Sequence, residues 1–184
     1  MTNYLDELKK LKSETRKKFE IFHECKDEGC KAKLDENFQG FVLSDKSRKF
    51  DVNRTIAELQ SLIGKKFCDC VIFDANESKF FVIFAEIKNI KKKTRDGKTI
   101  QGYRKEAIGQ FEDASEFIED EGLLPHKLKG SSNLVVRCFL VLPQLMSNSV
   151  KSMASNRKSA KLPKILGRER SLKIAKCGQQ LVYP

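Results

Sequence analysis

Two apolar segments separated by a short polar stretch constrain the fold more than any other feature of this 184-residue chain. Residues 67–74 and 79–88 are rich in Val, Ile and Phe, as β-strands usually are. The polar residues 75–78 between them suit a tight turn. The pattern therefore predicts an antiparallel hairpin.

Three charged residues stand at one end of this predicted hairpin. Glu86 and Lys88 are two residues apart, so their side chains project from the same face of a strand. A hairpin centred on residues 75–78 places Asp69 opposite Phe84, and Glu86 then lies diagonal to Asp69, within reach across the sheet. Two converging carboxylates make an oxygen site suited to Mg²⁺. A neighbouring lysine can orient a water or stabilise charge on a phosphate.

A purely structural interpretation of the same residues also stands. Strand ends often carry charges, and a salt bridge between Glu86 and Lys88 would account for both. Asp69 favours the functional interpretation because it interrupts an otherwise apolar strand. An unpaired carboxylate in such a place is costly to bury, so it needs a partner or a metal.

The rest of the pattern predicts a mixed α/β sheet flanked by helices, with a basic C-terminal appendage. Apolar residues recur at helical spacing in three segments, 3–22, 54–63 and 103–119. Thr2 or Asn3 is the expected N-cap of the first helix. Strands are expected at 134–142, buried on both faces, and at 172–182, on a sheet edge. Residues 25–50 show no regular pattern, and residues 89–102 suit a polar loop.

An acid followed by a hairpin and then Glu86-Ile87-Lys88 resembles the motif of the PD-(D/E)XK nuclease superfamily. That group includes restriction endonucleases, Holliday-junction resolvases and phage-defence effectors. Its core runs helix, three strands, helix, strand, which is similar to the order expected in residues 53–142. Only two strands are evident before the helix at 103–119, so the third is missing or lies within 89–102. Cys68 stands where the family has proline.

The resemblance implies a restriction-endonuclease-like core that hydrolyses phosphodiester bonds with Mg²⁺ or Mn²⁺. Asp69 and Glu86 would ligate the metal, together with the backbone carbonyl of Ile87. Glu58, on the helix before the first core strand, would support the metal directly or through water. An exposed helix carboxylate is an equally good interpretation of Glu58.

The resemblance also assigns roles to two further side chains. Lys88 would position the attacking water and stabilise the transition state. Gln110, on the helix after the motif, would orient Lys88 or the phosphate. The alternative for Gln110 is a solvated side chain, but its neighbour Phe111 lies on the inward side of the helix, which favours the site.

A net charge of +11 and a pI near 9.4 favour a polyanionic partner, most often nucleic acid. A lysine-rich soluble surface is the alternative. The basic residues expected to hold a phosphate backbone form two sets. Those next to the site are Lys91, Lys92, Lys93, Arg95, Lys98, Arg104 and Lys105. Those in the C-terminal segment 147–184 are Arg157, Lys158, Lys161, Lys164, Arg168 and Arg170.

Six cysteines without an export signal predict reduced thiols and a cytoplasmic location. His23, Cys25 and Cys30, with Cys177 or His126 as a fourth ligand, form a candidate zinc site, although free thiols are favoured. No apolar run is long enough to span a membrane. Cys68 and Cys70 are expected in the core, on the strand face opposite Asp69.

Taken together, the sequence predicts one nuclease-like domain spanning residues 1–184, with a core at about 53–142. The expected activity is Mg²⁺-dependent cleavage of DNA in restriction, phage defence, repair or junction resolution. The alternative is a catalytically inactive nucleic-acid-binding or interaction module of the same fold. A homodimer and a subunit of a defence complex are both compatible with the sequence, as are several forms of DNA or RNA substrate.

Overall fold

A computed structural model describes residues 3–27, 29–48, 65–88, 100–143, 164–167 and 172–181. In these ranges the chain forms a mixed α/β architecture around a five-stranded sheet. The predicted helix at 54–63 and most of the predicted loop at 89–102 lie outside the described residues.

The first helix, α1, spans Tyr4–Arg16. The side chain of Asn3 caps it by accepting a hydrogen bond from the backbone N–H of Leu5 at 3.1 Å, as predicted. The helix ends earlier than the predicted 3–22. Its extension was wrong because Phe22 pairs with Val42 through two backbone hydrogen bonds and so belongs to the edge of the sheet.

Short strands occupy the region that was expected to be irregular. Strands β1, Cys25–Asp27, and β2, Cys30–Ala32, form a separate antiparallel hairpin. Strand β3, Phe41–Leu43, joins the large sheet, and the helix α2, Asp45–Arg48, follows it. Each of these strands has three residues, too few for an alternating pattern to show in the sequence.

The large sheet has the order β3-β4-β5-β6-β7. Its other elements are β4, Cys70–Ala75; β5, Phe80–Ile87; helix α3, Ile100–Asp120; β6, Leu134–Leu142; and β7, Leu172–Lys176, with a 3-10 turn at His126–Leu128 before β6. Strands β3, β4 and β5 are antiparallel, and β5, β6 and β7 are parallel. The predicted hairpin, the helix at 103–119 and the strand at 134–142 are confirmed, and the last strand is a shorter edge strand than expected.

The register of the β4–β5 hairpin differs from the prediction. Ala75 pairs with Phe80, so the turn contains residues 76–79 and not 75–78. Asn76 closes this turn because its side-chain oxygen accepts from the backbone N–H of Lys79 at 2.8 Å. Continuing the register beyond the first strand pair brings Asp69 opposite Glu86 and not Phe84.

The two faces of the large sheet are covered by different elements. On the helix face, Phe73, Phe84 and Leu140 pack with α1 and with Phe111 of α3. On the hairpin face, Ile72, Ile83 and Val141 pack with Cys25, Cys30 and Ala32 of the β1–β2 hairpin. Alternation along each strand sends successive side chains to opposite faces, so both faces are apolar, as expected for a sheet covered on both sides.

Four of the six cysteines form disulfides, which contradicts the prediction of reduced thiols. Cys25 is bonded to Cys70, and Cys30 is bonded to Cys177. The sequence separations are 45 and 147 residues, so only the fold brings these pairs together. A cytoplasmic location stays a prediction, now without the argument from thiols.

The disulfides also remove the thiolates on which the candidate zinc site depended. Cys25, Cys30 and Cys177 are all bonded to another cysteine. Cys68 and Cys138 are buried and form no disulfide. Cys68 and Cys70 are both in the core, but they lie in the clusters of opposite faces, because β4 begins only at Cys70 and strand alternation does not extend back to Cys68.

None of the helices in the described ranges is long and apolar enough to cross a membrane.

Candidate active site

Asp69 and Glu86 lie beside each other at the open end of the β4–β5 hairpin. The backbone N–H of Asp69 donates to Glu86 Oε2 at 3.1 Å. The backbone N–H of Ile87 donates to Asp69 Oδ2 at 2.6 Å. Each carboxyl group accepts a backbone hydrogen bond from the segment that carries the other acid. These two hydrogen bonds fix the positions of the two acids relative to each other. The side chain of Glu86 is 2% exposed, and Asp69 beside it is half-buried.

Lys88 projects from the same face as Glu86, as the spacing predicted. Its Nζ lies 2.5 Å from Glu86 Oε1 and 3.8 Å from Glu106 Oε1 on α3. The salt bridge to Glu86 is also what the purely structural interpretation predicts. The arrangement that goes beyond it is the position of Asp69 next to this ion pair.

Gln110 reaches the same strand end from α3. Its Nε2 donates to the backbone carbonyl of Phe67 at 3.4 Å, and its side chain also hydrogen bonds to Glu86. The solvated alternative for Gln110 therefore does not describe its surroundings. Gln110 Oε1 is buried and accepts no hydrogen bond from the described residues. A buried acceptor of this kind suits a water molecule or a cation.

Burial and mutual repulsion make the two acids difficult to ionise together. Burial, followed by the neighbouring charge of Glu86, raises the pKa of Asp69 to about 7. Burial also raises the pKa of Glu86, against the opposing effect of the hydrogen bond and charge of Lys88. Burial acts to lower the pKa of Lys88, but the hydrogen bond and charge of Glu86 and of nearby acids raise it overall. Within the described residues, the charge of Lys88 acts to lower the pKa of both acids, and an additional cation would stabilise their charged forms further.

The donor set fits a divalent cation. The carboxyl groups of half-buried Asp69 and buried Glu86 are hard oxygen ligands, and the carbonyl of Ile87 is the third ligand that the resemblance implies. Glu58 lies outside the described residues. Within the described ranges, no three His, Cys, Asp or Glu side chains are grouped to hold a metal, so the predicted Mg²⁺ or Mn²⁺ remains a proposal that relies on two carboxylates there.

The structure describes three of the predicted nucleic-acid contacts. Arg104 is half-buried and Lys105 is exposed, and both directly precede Glu106 on α3. Lys164 is exposed, two residues before Leu166, whose backbone N–H donates to Ser115 of α3 at 3.0 Å. The other predicted contacts lie outside the described residues: Lys91, Lys92, Lys93, Arg95, Lys98, Arg157, Lys158, Lys161, Arg168 and Arg170.

Sequence reasoning missed Glu106. A single glutamate on an amphipathic helix carries no signal of its own. The available signal was its position four residues before Gln110, because residues at this spacing share a helix face. Gln110 was already expected at the site, so the side chain one turn earlier was a candidate too.

Comparison with known proteins yields no matching family model, no matching curated protein and no matching solved structure.

Proposed function

We propose that this protein is a metal-dependent nuclease that hydrolyses phosphodiester bonds in DNA. The observation that carries the proposal is the pairing of half-buried Asp69 with buried Glu86. Each carboxyl group accepts a backbone hydrogen bond from the other strand segment at the end of the hairpin, and Lys88 Nζ lies 2.5 Å from Glu86. A merely structural salt bridge does not require a second, half-buried acid beside it, since burial without compensation costs stability.

The order of the elements supports a restriction-endonuclease-like core. Strand β3 pairs with β4, so three antiparallel strands of the large sheet precede α3, and the parallel strands β6 and β7 follow it. In this proposal Phe41–Leu43, upstream of the motif, is the core strand that the sequence left unassigned. Glu58 then follows the first core strand in the sequence, whereas the resemblance placed it before that strand. Asp69 immediately precedes the second of these strands, and Glu86 lies near the end of the third, as in the PD-(D/E)XK pattern.

In this proposal Asp69 and Glu86 hold one or two Mg²⁺ or Mn²⁺ ions, with the carbonyl of Ile87 and with Glu58 as further candidates. Bound there, a divalent ion would lower the pKa of a coordinated water and neutralise charge on the scissile phosphate. Lys88 holds a charged amine beside the carboxylates, where it orients the attacking water and stabilises the extra negative charge of the transition state. Gln110 fixes Glu86 through its amide and offers Oε1 to a water.

The basic surface would hold the substrate. Arg104 and Lys105 flank the site on α3, and phosphate contacts of this kind give affinity without sequence choice. We include a homodimer, or a partner subunit in a defence complex, within the proposal, because two copies of the site would allow both strands of a duplex to be cut in one complex. Restriction, phage defence, repair and junction resolution all remain candidate settings.

A nicking assay on supercoiled plasmid tests the proposal. Wild-type protein is expected to nick or linearise DNA with Mg²⁺ or Mn²⁺ and to be inactive with EDTA. Glu86→Gln removes the charge with little change of shape and should abolish cutting. Glu77→Gln is the matched control, because Glu77 is exposed in the turn at the other end of the same hairpin.

The inactive-module alternative makes a different prediction. It requires that wild type and Glu86→Gln bind DNA equally and that neither cuts under any divalent ion. That result would remove the enzymatic proposal and leave nucleic-acid binding.

A further inference from the structure

Lys88 has two carboxylate neighbours and not one. Glu86 Oε1 is 2.5 Å from its Nζ, and Glu106 Oε1 is 3.8 Å from it. The side chains of Lys88 and Glu106 are 19% and 24% exposed, so the second pair is largely shielded from water. The attraction between such charges is stronger than at an open surface.

Helix α3 presents Glu106 and Gln110 to the site from the same side. They are four residues apart, one turn of the helix. Ala107 and Phe111, which follow them, are fully buried, so this stretch of the helix is anchored in the core. Gln110 hydrogen bonds to Glu86, while Glu106 pairs with Lys88. One helix therefore holds both members of the Glu86–Lys88 ion pair.

The proposed function creates a conflict at Glu86. Its carboxylate would have to accept a divalent cation while it is also the closest partner of the Lys88 ammonium. Two cations that share one carboxylate repel each other, so metal binding weakens the Glu86–Lys88 contact. Lys88 must nevertheless stay beside the metal to act on water and phosphate.

We propose that Glu106 is a positioning residue that keeps the Lys88 ammonium at the active site when Glu86 is occupied by a divalent cation. This inference relies on the proposed function. Glu106 acts through Lys88 and not as a metal ligand.

The first test observes Lys88 itself. The Nζ ammonium signal is followed by NMR in ¹⁵N-lysine protein, is assigned with Lys88→Met, and is measured before and after addition of Ca²⁺. We expect the Lys88 signal in wild type both without and with Ca²⁺. In Glu106→Gln it should be present without the ion and lost with it, as the ammonium becomes mobile and exchanges with water. Glu112→Gln, exposed on the same helix, should behave as wild type.

The second test is kinetic. Glu106→Gln should lower the cleavage rate at saturating DNA and Mg²⁺ by about tenfold and change KM for DNA by less than about twofold. Glu106→Asp keeps the charge on a shorter side chain and should recover part of that loss. A structural role alone would lower the thermal stability of both variants and would not separate Gln from Asp.

The possible results separate the two proposals. Cleavage by wild type together with an unchanged Glu106→Gln rate overturns the role of Glu106 and leaves the nuclease proposal standing. Absence of cleavage by wild type removes the nuclease proposal. Retention of the Lys88 signal in Ca²⁺-treated Glu106→Gln overturns the inference, whether or not the protein cuts DNA.

Discussion

The two faces of the large sheet are stabilised in different ways. The helix face is covered by α1 and by the 21-residue helix α3, whose packing buries several phenylalanines. The hairpin face is covered in part by strands of only three residues, joined to the sheet and to the chain end by two disulfides. An isolated two-stranded hairpin is barely stable in water. Disulfides therefore stabilise the short β1–β2 hairpin, whereas burial of apolar side chains stabilises the helices.

The two faces also differ in chemistry. The side chains proposed to act on DNA contact the helix face, where Glu86 and Lys88 meet Glu106 and Gln110. Both cysteines that form no disulfide also lie in the core cluster of this face. The candidate site is therefore held in place by packing and hydrogen bonds. We expect changes on the helix face to affect activity most, and changes on the hairpin face to affect stability most.

The largest expected effect is the loss of activity caused by a substitution on the helix face. Lys88→Met should lower the rate of DNA cleavage by about 10³-fold, because it removes the charge that stabilises the transition state. The melting temperature should fall as well, because the buried Glu86 carboxyl group loses the cation beside it, so the rates are compared at a temperature where the variant is folded. Lys79→Met, exposed in the turn at the opposite end of the hairpin, is the control and should cut like wild type. Cleavage by Lys88→Met at the wild-type rate would remove Lys88 from the mechanism.

Next in size is a stability effect from the hairpin face. Cys25→Ser with Cys70→Ser should lower the free energy of unfolding by about 2–5 kcal/mol, as loss of a native disulfide commonly does. Denaturant unfolding, monitored by circular dichroism, measures it. Cys138→Ala, at a buried cysteine of the helix-face cluster that forms no disulfide, should cost no more than about 2 kcal/mol. Equal losses in the two variants would mean that the faces do not differ as described.

A third prediction concerns the pH dependence of stability. Folding raises the pKa of Asp69 to about 7, from the usual value of 3.8 that applies to the unfolded chain. The folded protein therefore favours the protonated carboxyl group. In EDTA, the contribution of Asp69 to the free energy of unfolding should therefore be most favourable below pH 4. It should be lost as the pH rises towards 7. Asp69→Asn still accepts the Ile87 hydrogen bond and loses the charge. It should be more stable than wild type at pH 8, by roughly 2 kcal/mol.

Unfolding curves of wild type and Asp69→Asn at pH 5 and pH 8, without and with Mg²⁺, measure this effect. Mg²⁺ should stabilise wild type at pH 8 and leave Asp69→Asn unchanged. If Asp69→Asn is less stable than wild type at pH 8, burial does not destabilise the charged carboxylate of Asp69 as we describe.

The smallest expected effect tests the helix face alone. Asn3→Ala removes the N-cap of α1 and should cost about 1 kcal/mol of stability. The loss should be modest because Leu8 and Leu11 continue to bury the helix against the sheet. Activity should be unchanged. A loss above about 3 kcal/mol would show that α1 depends on its cap more than on packing.

Local sequence patterns predicted much of the fold and the position of the candidate site. The hairpin, the bounds of β6 and the meeting of Asp69 with Glu86 all follow from strand periodicity and from a short turn. The register did not, because it is set by one Asn76 side chain that closes the turn one residue later than hydropathy suggests. A shift of two residues along the partner strand preserves the face, which is why the acids still meet.

The remaining differences come from tertiary contacts. Cys30 and Cys177 are 147 residues apart, and no local pattern pairs them. Strand β3 has only three residues, all buried, so it resembles any short apolar stretch. Glu106 could not be assigned to the site from its own helix, because its partner Lys88 belongs to another part of the chain.

The Cys30–Cys177 bond makes most of the polypeptide a covalently closed ring. A broken peptide bond between residues 70 and 177 would leave both fragments attached through this one link, and a break between residues 30 and 70 would be bridged twice. Such a nicked chain would migrate as one species on a denaturing gel and would separate only after addition of a reducing agent. Protease damage and loss of the folded molecule are therefore distinct events for this protein.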